Sequence, residues 1–433
     1  MSDRTVSDRW ERGHVLALAP DAAAAKAAAT VARPAAWTGA ACDGEAAWGE
    51  CRGSGKSVYR VSVDLTGPAF RCSCPSRKFP CKHALGLLLL WSDGAVPGGR
   101  AADRPPWAAE WLAGRRARAE DPPVRATARA ADPATAERRA ARVDAGLDDL
   151  DRWLRDQVEQ GLARTENAPY ALFDDLARRL VDAQAGALAG QVRALAAVPR
   201  RPGWPGALLA EYALLRLLVH AHRRPDLPAP LRDTVRARIG FTVPREEVLA
   251  AGERVRDRWC VVGVRDTAQD RLATRRAWLR GRGGRSALVL SFAPPGRPLD
   301  ASLAAGTEVD AELAFFPGAA PLRALVAERH GAAAPAVPDG VPIGAFLAEH
   351  AAALAADPWL DRWPAVLSGV RFARRDGGLA VVDAAGDVLP LRDTEPWRLL
   401  AVSGGAPVTL AGEWTPRGLR PLAAWHDDEA VVL

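Results

Sequence analysis

From Tyr59 to Leu65, the apolar residues Tyr59, Val61, Val63 and Leu65 alternate with Arg60, Ser62 and Asp64. This is the period-two pattern of a half-exposed strand. Thr66-Gly67-Pro68 breaks that run, and Phe70 to Cys74 opens a second strand. Upstream, Pro20 to Ala32 reads as an alanine-rich helix whose first turn accepts Pro20 and which Pro34 stops. Downstream, Lys82 to Trp91 is apolar on every side after its first turn, as a helix enclosed by other elements would be. Together these elements define a first unit over residues 1–95.

Residues 96–133 are rich in glycine, proline, arginine and alanine, and read as a linker carrying one short helix, Trp107 to Ala119. From 134 to 250 the pattern is helical. Leu147, Leu150, Trp153, Leu154 and Val158 share one face, and Pro169, Pro199, Pro202 and Pro205 divide the stretch into several helices. Residues 255–433 change character again. Trp259 to Val264 and Ala287 to Phe292 are short buried-strand runs, and Asp376-Gly377-Gly378 and Ala385-Gly386-Asp387 sit where hairpin turns would. One helix, Ile343 to Ala356, interrupts the strands, and Leu399 to Trp414 predicts two more strands around Ser403-Gly404-Gly405. A small antiparallel barrel or sandwich is expected here.

Composition adds few constraints. Hydrophobic residues at 48% and charged residues at 25% are ordinary for globular domains. Nowhere do eighteen apolar residues run together, so no membrane-spanning helix is expected. Val15 to Ala19 is too short for a signal peptide, which makes the cytoplasm the expected location. Charge is more telling once located. Between Arg52 and His83 lie seven basic residues against Asp64 alone, so this segment carries the whole net charge of +6. The rest of the chain sums to zero. One basic module sits in a neutral protein.

The same segment holds three of the six cysteines and a histidine in one short run: Cys72-Ser-Cys74, then Cys81-Lys-His83. Side chains two apart in extended chain point the same way, so each pair offers two ligands to one ion. Three thiolates and one imidazole make a closed tetrahedral set suited to a single structural Zn²⁺. Pro75 and Pro80 stiffen the returning loop, and His83 falls in the first turn of the apolar helix. No position is left for water or substrate, and no glutamate stands beside the ligands as in zinc deaminases. The C-x-C…C-x-H pattern, after a strand and before an apolar helix, resembles the SWIM zinc finger over about residues 48–93. That resemblance implies a strand–strand–helix zinc module that binds DNA or proteins.

Other constellations carry less. Gly49 to Ser57 is one residue too long for a P-loop, and Lys56 leads into a strand rather than a helix N-terminus. His220-Ala221-His222 ends a helical run, where residues two apart diverge. Asp174-Asp175 reads as helix surface, and Trp153, Trp204, Trp259 and Trp278 as packing aromatics. Cys42, Cys51 and His14 are too irregularly spaced for a second metal site.

The expected fold is therefore α+β and multidomain: an N-terminal strand–strand–helix zinc module, a central all-α region and a C-terminal β-rich domain. The expected role is non-catalytic, an adaptor or assembly component. Its basic module would contact nucleic acid or an acidic protein surface through Arg71, Arg77, Lys78 and Lys82, with no membrane partner. The alternative is an enzyme whose active site lies in residues 134–433 without a legible motif. The sequence leaves the oligomeric state open.

Overall fold

The computed structural model describes residues 10, 12–19, 22–53, 57–65, 69–76, 80–120, 133–166, 171–200, 202–269, 272–293, 299–375, 378–392, 395–427 and 429–433. Pro20, Lys56, Thr66-Gly67-Pro68, Arg77, Lys78, Pro169 and Asp376-Gly377 lie outside them. The chain is α+β, with an N-terminal mixed module, a central helical region and C-terminal sheets.

Two helices, α1 (Arg12–Ala17) and α2 (Ala22–Val31), precede four strands: β1 (Trp37–Cys42), β2 (Ala46–Arg52), β3 (Val58–Asp64) and β4 (Ala69–Cys72). These form an antiparallel meander in sequence order. The alternation read at 59–65 is β3, with Val61 and Val63 fully buried beneath α3 (Lys82–Ser92). Every residue of α3 from His83 to Trp91 is buried, between the sheet on one side and α1 and α2 on the other. Gly86 permits the close approach of α2, since a Cβ there would lie 2.6 Å from Val31 Cγ2.

The stretch read as a linker is docked in its first part. Arg104 donates to Asp43 and Glu45, both at 2.6 Å. Although burial pushes the Asp43 carboxyl up, the Arg104 guanidinium holds it below its ordinary value. Helix α4 (Pro106–Glu120) then lays Ala108 and Leu112 on Ala46 and Trp48, and Arg115 reaches Asp64 at 3.0 Å. Trp107 and Trp111 pack beside this contact.

The central region comprises α5 (Pro133–Glu159), α6 (Ala171–Asp182), α7 (Gly186–Ala194), α8 (Trp204–His222), α9 (Ala229–Ile239) and the short α10 (Arg245–Ala251). Leu147, Leu150 and Leu154 of α5 face Phe173, Leu176, Leu188, Tyr212 and Leu215 in one core.

Beyond it, β5 (Glu253–Gln269), β6 (Leu272–Gly281), β7 (Ser286–Ala293), β8 (Thr307–Phe315) and β9 (Arg323–Arg329) close into a barrel of order β5-β6-β7-β9-β8. All these pairings are antiparallel except β7 with β9, and β8 returns to β5. The short β10 (Ala334–Pro335) pairs antiparallel with the start of β8. Trp259, Val261, Leu279, Val309, Leu313 and Phe315 fill the interior.

A second sheet follows α11 (Ile343–Ala356). Its order is β13-β12-β11-β14-β15-β16, from β11 (Trp363–Arg375), β12 (Gly378–Val382), β13 (Val388–Pro390), β14 (Val408–Thr415), β15 (Gly418–His426) and β16 (Glu429–Val432). It packs on the outside of the barrel through Cys260, Val262, Trp278, Val366, Leu422 and Trp425. Gly263, beside a bulge in β5, allows the approach of Leu422. One expected strand is corrected: Pro396–Ser403 is helix α12, because Pro396 suits a first turn and Gly404 caps the end at φ +54°.

Candidate metal centre

Two pieces of the module converge on one point. Strand β4 ends at Cys72, and Cys74 follows two residues on. Cys81 is the N-cap of α3, where its Sγ accepts from the Ala84 N–H at 3.5 Å, and His83 lies in the first turn. The ligand atoms of Cys72, Cys74, Cys81 and His83 all fall within 4.8 Å of one another. Cys72 Sγ lies 3.8 Å from His83 Nδ1. Tetrahedral Zn–S bonds of about 2.3 Å would set neighbouring ligand atoms about 3.8 Å apart. Donor set and spacing both fit zinc.

Burial is graded across the centre: Cys81 and His83 are enclosed, whereas Cys72 and Cys74 are half-buried. Titration is shared among the thiols. Hydrogen bonds from Cys72 and then Cys81 pull Cys74 well below an ordinary thiol, while the same contact with Cys74 drives Cys72 up. One thiolate is thus stabilised by its neighbours even before a cation is considered. A divalent ion favours deprotonation of all three.

Two neighbours escaped the sequence reading. Tyr59, counted only as an apolar strand position, lies against the His83 ring with centroids 4.8 Å apart. Cys51 sits beneath the cluster on β2, fully buried. Burial raises its thiol, and its Sγ donates to the Arg52 carbonyl. Neither position has a spacing signal that could have revealed it.

The remaining candidates stand apart. Cys42 is buried beside the Val96 carbonyl, and Cys260 lies between barrel and sheet. His222 Nε2 is 2.8 Å from Asp144, and Asp174 and Asp175 are held by Arg178. Of the four expected contact residues, Arg71 and Lys82 are exposed on either side of the ligands, and no ion-pair partner is found for them among the described residues. Arg77 and Lys78 fall outside those residues. A cleft of about 350 Å³ opens beside the centre, lined by Tyr59, Cys74, Ser76, Lys82 and His83 with alanines of α2.

Residues 59–91 match the SWIM zinc finger. The segment 59–91, carrying most of β3 with β4 and most of α3, is a SWIM zinc finger, and Cys72, Cys74, Cys81 and His83 are positioned to bind one zinc ion. Residues 138–239 match the SWIM-associated four-helix bundle domain, so the central region belongs with the finger. No curated protein and no solved structure matches the chain. Cys72, Cys74, Cys81 and His83 would hold the ion, which would then link the end of β4 to the start of α3.

Proposed function

We propose that this protein is a non-catalytic nucleic-acid-binding protein whose SWIM finger presents a basic surface held in shape by zinc. The observation that carries this reading is the pair Arg71 and Lys82, exposed and without a carboxylate partner among the described residues. Elsewhere arginines are commonly neutralised, as in Arg256 with Asp310, Arg285 with Glu253 and Arg224 with Asp226. Three thiolates and Zn²⁺ together contribute only one negative charge, which leaves the 52–83 segment basic. Such a surface attracts phosphates. A reducing compartment, the cytoplasm, belongs to the reading because thiolate ligands need it and all six cysteines are free. Among the described residues, no helix is long and apolar enough to cross a membrane.

Binding titrations with the zinc-loaded full chain test this. Arg71→Ala with Lys82→Ala should weaken binding similarly across sequences and lower the salt slope by ~1 for each duplex phosphate that the two side chains neutralise in the parent. An unchanged slope and affinity would overturn it, and capture of an acidic protein instead would assign the basic face to that partner.

A further inference from the structure

The barrel supplies a second surface of different chemistry. Numbered from β5, its strands run 1-2-3-5-4 and close back on 1, with strands 3 and 5 parallel. This is the topology of an OB-type barrel, whose outer face over strands 2 and 3 is a common seat for oligonucleotides. Topology alone assigns no ligand. The side chains on that face decide.

Cross-strand register places them. Trp278 of β6 is opposite Gly263 and Leu288, and these lie outward, under the second sheet. Two residues along, Arg276 is opposite Arg265 and Leu290, and the next row sets Thr274 between Thr267 and Phe292. Opposed residues share a face, so the Arg276 row lies at the rim of the second sheet, where Arg265 reaches Glu413 of β14, and the Thr274 row continues the outer surface past it. Phe292 is 52% exposed.

Arg276 is the anomaly. Its guanidinium is half-buried and has no hydrogen-bond or ion-pair partner among the described residues. Its charged neighbours are Arg362, Glu413, Arg265 and Asp361. The two carboxylates are already engaged: Glu413 Oε1 lies 3.1 Å from Arg265, 3.6 Å from Arg362 and 3.8 Å from Arg392, and Asp361 pairs with Arg362. Four guanidiniums, those of Arg265, Arg276, Arg362 and Arg392, therefore share two carboxylates, and Arg276, which pairs with neither, lies one row from the exposed Phe292 on the same face. Burying such a charge is costly until an anion meets it.

We propose that the outer face of β6 and β7 binds single-stranded nucleic acid, with a phosphate on Arg276 and an unstacked base on Phe292. An acidic peptide would answer the charge but leave the ring unused. A duplex would keep its bases stacked and out of reach of Phe292. This site is separate from the SWIM finger and stands or falls independently of the function proposed for it.

The test uses the zinc-loaded full chain, a labelled oligothymidylate, its duplex with oligoadenylate, and a polyglutamate competitor. Phe292→Ala should weaken single-strand binding about tenfold, the size of one base–aromatic stack, without altering its salt dependence. Arg276→Gln should weaken it and lower the salt slope by about 0.7. Both effects should persist when Arg71 and Lys82 are alanine, which separates this site from the finger. Arg276→Gln should melt no lower than the parent, since it removes an unpaired charge, and this guards against a folding artefact. In the chain with Arg71 and Lys82 changed to alanine, the proposal is overturned if Phe292→Ala and Arg276→Gln bind like that background, if the duplex binds as tightly as the single strand, if polyglutamate competes as well as unlabelled oligothymidylate, or if no single strand binds at low salt.

Discussion

Cys81 does two jobs at once: it offers a thiolate to the zinc and caps α3 by accepting from Ala84. Replacing Cys81 with serine keeps a cap but removes the soft ligand, and His83→Ala removes the imidazole. Apparent zinc-binding energies of finger peptides are on the order of 10–16 kcal/mol and couple directly to folding. Either change should therefore abolish stoichiometric zinc, read by elemental analysis, and melt the first unit while the later helices keep their circular dichroism. Cys42, Cys51 and Cys260 changed together to alanine should leave one zinc per chain. Loss of half the metal would show that Cys51, although outside the four-residue cluster, takes part. His350 on α11 gives a different residue-scale expectation. It lies among Phe346, Trp363 and Trp414, and burial lowers its pKa. A depressed imidazole means the unfolded chain takes up a proton first. Its contribution to stability is full above the unfolded value near about 6.5 and is lost as pH falls toward the folded value. Denaturation midpoints at neutral and mildly acid pH should show this loss, and His350→Phe should reduce it.

At the scale of elements, α3 is the part most dependent on its surroundings. It has few polar positions to hold it in water, and Leu85, Leu87, Leu88 and Leu89 are all within 1% of complete burial. Each such side chain stabilises by about 1.5–3 kcal/mol. The contact with α2 runs over Gly86, so Gly86→Val forces its Cβ into Val31. Overpacking of this kind costs about 1–3 kcal/mol, well above the few tenths that Val regains in helix propensity over Gly. The expected outcome is a lower melting temperature for the first unit together with easier zinc removal by chelator. Equal zinc retention and melting would mean that α2 shifts freely.

Across the whole molecule, one large side chain pins the helical bundle to the sheets. Trp359, on the segment entering β11, is only 8% exposed within the bundle core and donates from Nε1 to the Leu214 carbonyl at 2.9 Å. Arg238 meets Asp357 beside it at 3.3 Å. Trp359→Ala should cost about 3–5 kcal/mol, as large aromatic truncations do. The sign of uncoupling would be two resolved calorimetric transitions where the parent shows fewer. A parent-like melt would place the coupling elsewhere, for example at the hydrogen bond from the Ala319 N–H to the Thr234 hydroxyl.

The sequence by itself determined the metal centre. Its four ligands lie within twelve residues, from Cys72 to His83, and closing so short a loop costs little entropy. It also determined β3, by its local alternation, and the extents of α3 and α11, which are continuous helix-length runs. Tertiary structure decided the rest. The helix at Pro396–Ser403 was masked by an apolar run that strands share, and α4 became part of the first unit through Arg104, Ala108 and Leu112. Barrel closure depends on β5 finding β8 and β7 finding β9 in parallel, pairings between distant segments that no local pattern encodes. Arg276 follows the same logic. In the sequence it is one arginine among many; only the register of three strands and the approach of Glu413 and Arg362 make it the charge left without a counter-ion.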